Sequence, residues 1–552
     1  MIALASKSPD AIAQPSCVLL KKSPNGLIMC LLSAFCGSVL GLSAPGFEQW
    51  YLAWFGVIPL LLLCSSSNNL KHAFLRGLLF GAGYELVYLN WVFGLHPLEW
   101  LGFNAWQSCL LAFGALSIWS MHQALLVACF AVLCRLIPVT GNFLPDKEGD
   151  RWRLPAVLVI PSIWVLWMSK VGNAHFLCGV PWGMLEYSQY KQFFVIQIAS
   201  IIGGIGIGFI IVAFNVLLAS LIATYSGNAS FRSLACKSRI LAVTQLSVFC
   251  LIILIAFASS CNEVRAVVWP AKQTVSILQG DVNFSMFFSK HKSVCPSDIP
   301  FLNMISRCPE GLCVGSENAL PYDLYAVPAT CKVISETARE RKLDVVLSCL
   351  HSKDNRNLPT NSIPGLPSLD SERCNSAFAF DAGGLPAKSI YHKRYLVPIS
   401  EYTPALFQFL KSFFHLPSQW KVKSLSSGKL PVVFKLSCGS VAPLICVECM
   451  APELAVASVK AGGQLLVTLG DPSFLHDAMV GKQMIALNVF RAVENRRFVV
   501  FACNTGPSAI IDPCGRITLQ SPHGKEELIV GKVGFNSQLT PFCRWFSSLG
   551  RF

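Results

Sequence analysis

The chain has 552 residues, 53% of them hydrophobic and 13% charged, against roughly 25% charged in an ordinary soluble domain. That balance excludes an ordinary soluble protein and points to an integral membrane protein with a sizeable extramembrane part. The formal charge of +14 comes with no basic stripe carrying interleaved aromatics. Nucleic acid is therefore excluded as a partner, and anionic lipid headgroups are expected instead.

The apolar runs are confined to the first half. After a cytoplasmic N-terminal tail at 1–26, residues 27–260 read as a polytopic α-helical membrane domain. Candidate spans are Leu27–Ala44, Tyr51–Cys64, Phe74–Leu95, Ala105–Leu136, Pro155–Met168, Phe193–Ala223 and Ile240–Ala258. A span needs about 20 apolar residues. The second and fifth runs are short, and the fourth and sixth have room for an interfacial turn, so the count is about seven, give or take one or two. Lys7, Lys21, Lys22, Lys71, Arg76, Arg135, Lys147, Arg151, Arg153, Arg232, Lys237 and Arg239 fall on one side. The alternate loops carry only Lys170 and Lys191. The positive-inside rule then places the N-terminus in the cytoplasm and everything after residue 260 outside. With many spans following, the N-terminal stretch is not read as a cleaved signal peptide. Ionisable residues inside the spans are few (Glu85, His122), which argues against a transport path.

The pattern changes at about Lys272. Thr274–Leu278, Leu312–Gly315, Asp344–Ser348, Ala377–Asp381, Val432–Leu436, Pro443–Val447 and Gln464–Leu469 read as strands. Leu324–Arg341, Ala451–Ala461 and Lys482–Arg496 read as helices. Strands alternating with helices predict an α/β layer fold over 272–545, large enough for one full core. Residues 546–552 read as a C-terminal tail. Of the 23 cysteines, 13 follow residue 260; an odd number in an oxidising compartment leaves a thiol unpaired. There are no paired CxxC motifs and no Cys/His ligand spacing, so neither a metal site nor a cofactor is expected.

Three residues in this half carry chemistry. Cys446 ends the apolar run Val441–Cys446, where a strand runs toward helix Ala451–Ala461; a nearby helix N-terminus would favour its thiolate. Glu317, in the turn Ser316–Pro321, is the candidate base for the thiol proton. Lys393, in Tyr391–Tyr395, is the candidate stabiliser of an oxyanion. Cys449 is a competing nucleophile, and Glu448 would share the strand face of Cys446 if the strand continued. Ala405–Leu416 holds Phe407, Phe409, Phe413 and Phe414 in one short segment, read either as a membrane-interface element or as ordinary core packing.

The ordered set Glu317, Lys393, Cys446 resembles the nucleophile set of carbon–nitrogen hydrolases of the nitrilase superfamily. Longer segments resemble one branch, the apolipoprotein N-acyltransferases: Ser276–Asp281, Ser316–Pro321, Tyr391–Tyr402, Leu444–Glu448, Arg491–Glu494 and Asn504–Gly506, with Asn90-Trp91-Val92, Gly179–Trp182 and Tyr187–Gln189 in the membrane half. The likeness covers roughly 27–545. It implies a nitrilase-like α-β-β-α sandwich on the periplasmic side of a bacterial inner membrane. It implies a ping-pong reaction, in which Cys446 takes an acyl chain from a phospholipid donor as a thioester and passes it to the α-amine of a diacylated apolipoprotein. Supporting roles at Glu401 and Glu448 follow from the same likeness. The chain departs from the family pattern at Gly315-Ser316 (Trp-Pro in the family), Val447 (Tyr) and Phe288 (a loop Trp), and the usual last membrane helix is not found. Two other readings stay open: a membrane-tethered amidase or transferase with another amine acceptor, and a non-catalytic membrane binding or transport protein.

Overall fold

The computed structural model describes residues 26–65, 69–99, 102–137, 139–140, 154–171, 182–225, 243–244, 246–251, 253–254, 270–282, 300–352, 372–398, 400–403 and 424–549, with a few single positions between. Its first half is helical: α1 (Gly26–Gly41), α2 (Ile58–Ser65), α3 (Leu70–Tyr88), α4 (Ala105–Leu136), α5 (Ala156–Leu166) and α6 (Ala199–Tyr225). Two of these, α4 and Ala199–Ile222 of α6, are long and apolar enough to cross a membrane. At 1.5 Å per residue α4 is about 48 Å long, more than a hydrocarbon core of about 30 Å. The expected second span resolves into a 3₁₀ turn, Trp50–Trp54, and the short α2. The third ends at Tyr88 and continues as a 3₁₀ turn, Asn90–Leu95. The described residues of Ile240–Ala258 are helical, and the others in that run lie outside the described residues.

The helices approach one another closely at glycines. Gly37 of α1 sits directly against the Phe80 carbonyl of α3, leaving no room for a Cβ. At Gly203 (φ +72) α6 breaks, and a Cβ there would run into the Phe542 ring. The break frees the amide of Gly204, which donates to Glu494 Oε1 at 2.8 Å, so the orphaned donor is satisfied from the second half of the chain.

That second half is a sandwich of two six-stranded sheets. The strands are β1 (Gln273–Gln279), β2 (Gly311–Val314), β3 (Leu343–Ser352), β4 (Arg373–Phe380), β5 (Tyr391–His392), β6 (Phe434–Leu436), β7 (Gly439–Ile445), β8 (Leu465–Gly470), β9 (Val499–Cys503), β10 (Ala509–Ile511), β11 (Ile517–Gln520) and β12 (Glu527–Val533). The first sheet runs β12-β1-β2-β3-β4-β5 and the second β11-β10-β9-β8-β7-β6. Within them β1, β2 and β3 are parallel, as are β7, β8 and β9. Their inner faces, including Val275, Ile277, Val346, Val441, Val467 and Val500, form one core. Helices α7 (Pro300–Ile305) and α8 (Pro328–Arg341) cover the first sheet through Phe301, Leu302, Ile334 and Ala338. Helices α9 (Pro452–Lys460) and α10 (Ala478–Asn495) cover the second, and α11 (Pro541–Leu549) follows. The α-β-β-α layering matches the sequence expectation.

Several boundaries differ from the reading of the sequence. Pro328 splits the expected helix Leu324–Arg341: Leu324–Ala326 is a 3₁₀ turn, and the α-helix starts with Pro328 in its first turn. Strand β7 stops at Ile445, two residues short of the expectation. Pro443 is tolerated in β7 because β6 pairs only as far as Val441, so no ladder bond is lost on that edge. The strands from Val499 onward are additions to the expected set. Among them β12 pairs antiparallel with β1 and closes the first sheet.

Gly37→Leu should force α1 away from α3 and lower stability by at least about 1–3 kcal/mol, read as a fall in thermal midpoint in detergent. Gly114→Ala, with open space around its Cβ, should leave the midpoint unchanged.

Candidate active site

The residues singled out above meet where the two sheets' parallel strands end. Glu317 lies in the turn after β2 and is 5% exposed. Lys393 follows β5 and is 1% exposed. Its ammonium donates to Glu317 Oε1 at 3.1 Å and to Glu401 Oε1 at 2.9 Å. The Asn375 amide on β4 donates to the same two oxygens, at 2.7 and 3.3 Å. Glu317 Oε2 accepts from the backbone amide of Asp471, after β8, at 3.2 Å. Glu401 Oε2 accepts from the amide of Val397 at 2.7 Å. Burial alone would push the Lys393 ammonium toward neutrality; Glu317, Glu401 and Cys446 outweigh it and hold its pKa above the ordinary lysine value.

Cys446 faces this cluster. Its backbone is left-handed (φ +55), a conformation costing a non-glycine residue about 1–3 kcal/mol. It opens a 3₁₀ turn, Cys446–Met450, and is partly exposed while the rest of that turn is buried. The expected help from a helix N-terminus is not what governs the thiol. Helix α9 starts only at Pro452. Burial and then the Glu317 carboxylate push the Cys446 pKa well up, and Lys393 opposes them. At neutral pH the resting group is a thiol beside a carboxylate, and its proton has to be taken by a base.

Glu448 does not share a strand face with Cys446, because the strand has already turned. Its Oε2 accepts from the amide of Ile445 and the hydroxyl of Tyr391, both at 2.6 Å. Its Oε1 accepts from the amides of Arg394 at 2.6 Å and Tyr395 at 3.1 Å. The carboxylate thus ties the backbone before Cys446 to the segment that carries Lys393. Burial pushes the Cys449 thiol up to about 12, as it also raises that of Cys446; what separates the two is access, since Cys449 is fully buried and Cys446 is partly exposed. Phe288, Phe413 and Phe414 lie outside the described residues.

Sequence reasoning missed Asn375, Tyr391 and Asp471. Asp471 Oδ1 accepts from Asn504 Nδ2 at 3.0 Å and from the amide of Ser473 at 3.2 Å. Burial pushes its carboxyl up to about 6, with Ser473 and Asn504 opposing. Asn504 Nδ2 and Oδ1 also hold the Val282 carbonyl and amide.

Asp471 gives a signed pH prediction. Its folded pKa lies above the unfolded value of about 3.9. Its stabilisation is therefore complete below about pH 4 and is lost as pH rises through about 6. The full loss is up to about 3 kcal/mol. Asp471→Asn should be less stable than wild type at about pH 4.5 and should close or reverse that gap by about pH 7.5, measured by thermal unfolding. A gap that stays constant across this range would contradict the assignment.

Comparison with known proteins agrees with the geometry. Residues 36–217 match the apolipoprotein N-acyltransferase N-terminal domain family, and residues 309–537 match the carbon-nitrogen hydrolase family. The apolipoprotein N-acyltransferase of Geobacter metallireducens is 28% identical over 91% of this chain and 89% of its own. That of Gloeobacter violaceus is 26% identical over 92% and 89%. Among solved structures, an amidase from Nesterenkonia sp. aligns with 52% of this chain and 97% of its own, at 16% identity and a TM-score of 0.35. The chain thus carries a match to the apolipoprotein N-acyltransferase N-terminal domain followed by one to a carbon–nitrogen hydrolase domain, in line with its full-length similarity to named apolipoprotein N-acyltransferases, and it is an acyltransferase.

Proposed function

We propose that the chain moves an acyl group from a membrane phospholipid, through a thioester on Cys446, to the α-amine of an N-terminal S-diacylglyceryl-cysteine. The observation that carries this reading is the partly exposed Cys446 thiol held at a strained turn against the buried Glu317–Lys393 pair and the partly buried Glu401. In the first half-reaction Glu317 takes the Sγ proton as the thiolate attacks the ester carbonyl. Lys393 faces the oxyanion that develops on the tetrahedral carbon. Collapse expels the lysophospholipid alkoxide, which recovers the proton from Glu317. In the second half-reaction the amine attacks the thioester, Glu317 takes the ammonium proton of the adduct, and the departing thiolate recovers it. Glu401 holds Lys393 in place and shares its charge. Glu448 and Asn375 fix the backbone and the carboxylates around it.

A lipid donor is supported by the outward faces of the helical half. Leu27, Leu31 and Phe35 on α1 and Trp106, Leu110 and Ile118 on α4 are exposed; in water such continuous apolar faces would be a liability. The reading places about seven spans in a bacterial inner membrane, with the N-terminus inside and the hydrolase domain on the periplasmic side.

Intact mass of the purified chain in phospholipid micelles tests the thioester. Wild type should gain one acyl mass, lost on treatment with hydroxylamine or with a diacylated lipopeptide bearing a free α-amine, and Cys446→Ser should gain none. Lys393→Met should slow acylation by about 10²- to 10³-fold. An adduct persisting on Cys446→Ser, or discharge to water as fast as to the amine, would sink the proposal.

A further inference from the structure

Away from the site, two thiols lie in contact. Cys308 Sγ and Cys313 Sγ are 3.5 Å apart, and both residues are buried, at 1% and 0% exposure. Cys313 is in β2, four residues before Glu317. Cys308 is in the turn that follows α7, fixed by its amide on the Ile305 carbonyl at 3.1 Å and by its thiol on the Met304 carbonyl at 3.4 Å. We propose that Cys308 and Cys313 form a disulfide that clamps the turn after α7 to the strand delivering Glu317.

Closing the contact to a bond of about 2.05 Å needs a movement of about 1.5 Å. The turn can supply it: Ser306, Arg307, Pro309 and Glu310, on either side of Cys308, are all exposed, so a local opening moves Cys308 without disturbing the sheet. The two thiols are also unequal. The contact with Cys313, reinforced by the charges of Arg341 and Arg307, holds the Cys308 thiol below its usual value despite burial. The same contact and burial hold Cys313 well above it. Cys308 is therefore the thiol that ionises first.

The oxidant required is a small disulfide such as oxidised glutathione, or a protein dithiol oxidant of the same chemistry. The Cys308 thiolate attacks one of its sulfurs, forming a mixed disulfide and releasing one thiol. Cys313 then loses its proton and attacks the Cys308 sulfur, expelling the second thiol. Two electrons and two protons pass to the oxidant, and the chain becomes about 2 Da lighter. Inside cells the bond rests on the outward placement of the hydrolase domain proposed above, since cytosolic thiols are kept reduced.

The test uses the full chain in detergent, equilibrated with oxidised glutathione, denatured, alkylated and mapped before and after reduction. Cleavage after Glu310 separates the two cysteines in sequence, so only a disulfide keeps the fragments together. We expect Cys308 and Cys313 to take label only after reduction, with Cys331 labelled throughout. Reduction should lower the unfolding midpoint of wild type by about 4 °C and leave that of Cys308→Ala/Cys313→Ala unchanged. Both thiols labelling without reduction, or a bond to Cys331 in place of this one, overturns the proposal. If purified protein forms the bond while protein quenched directly from cells carries free thiols, the bond stands and the outward placement of the domain falls.

Discussion

A buried ammonium between the buried Glu317 carboxylate and the partly buried Glu401 carboxylate organises this molecule. Taking each of three charges out of water costs several kcal/mol, and that cost is tolerable only if every lone pair and proton finds a partner. Lys393 supplies charge to both Glu317 and Glu401, Asn375 donates to both, and backbone amides of Asp471 and Val397 take the remaining oxygens. These groups come from β4, the segments after β2 and β5, and the end of β8, so the cluster exists only when both sheets are in register. Burial, and then the Glu317 carboxylate, keep the neighbouring Cys446 thiol protonated at rest, with Lys393 opposing them. A base that already sits beside its thiol suits acyl transfer in a site that must stay inert in the absence of substrate.

The second constraint is the turn at Cys446. A left-handed cysteine is unfavourable by itself, and one side chain does most to stabilise it. Glu448 returns from two positions downstream to accept four hydrogen bonds, from Ile445, Tyr391, Arg394 and Tyr395. The same carboxylate therefore holds the nucleophile turn and the lysine segment together. This gives Glu448 a physical role that does not require it to touch substrate, and it explains why a buried acid so close to the thiol does not need Lys393 as its own counter-charge. The departures from the family pattern at Gly315, Ser316 and Val447 leave this bonding intact, since it runs through other side chains and through backbone.

Part of this is legible in the sequence and part is not. Glu317, Lys393, Glu401 and Cys446 stand in short contiguous segments whose residue order is itself informative, so they stand out before any fold is known. Asn375 and Asp471 do not: each is a lone polar residue at or near the end of an apolar strand, and it meets Glu317 only through the fold. The bend at Cys446 is equally hidden, because a positive φ without glycine leaves no mark in composition. The strands between Val499 and Gln520 are short, and in Glu527–Val533 only Ile529 and Val533 are buried, four positions apart, which gives no clear apolar alternation to read. Pro328, by contrast, is a boundary signal in plain view, since a proline opens a helix more readily than it sits inside one.

Attachment of the sandwich to the helical half depends on helix α10. The helix is buried on both sides, by the second sheet and by the helical half. Its polar residues are used as ties: Gln483 accepts from Trp91 and Trp182 and donates to the Tyr88 carbonyl, and Glu494 holds the broken turn of α6 at Gly204. The segment leading into α10 is pinned as well, with the amide of His476 on the Gly94 carbonyl at 2.8 Å. That pin lies five residues from Asp471, whose backbone supports Glu317. The support of Glu317 and the anchoring point on the helical half therefore share one short, bonded stretch of chain. Docking of this kind uses directional hydrogen bonds where an apolar contact alone would allow sliding, and it fixes Cys446 relative to the helical half.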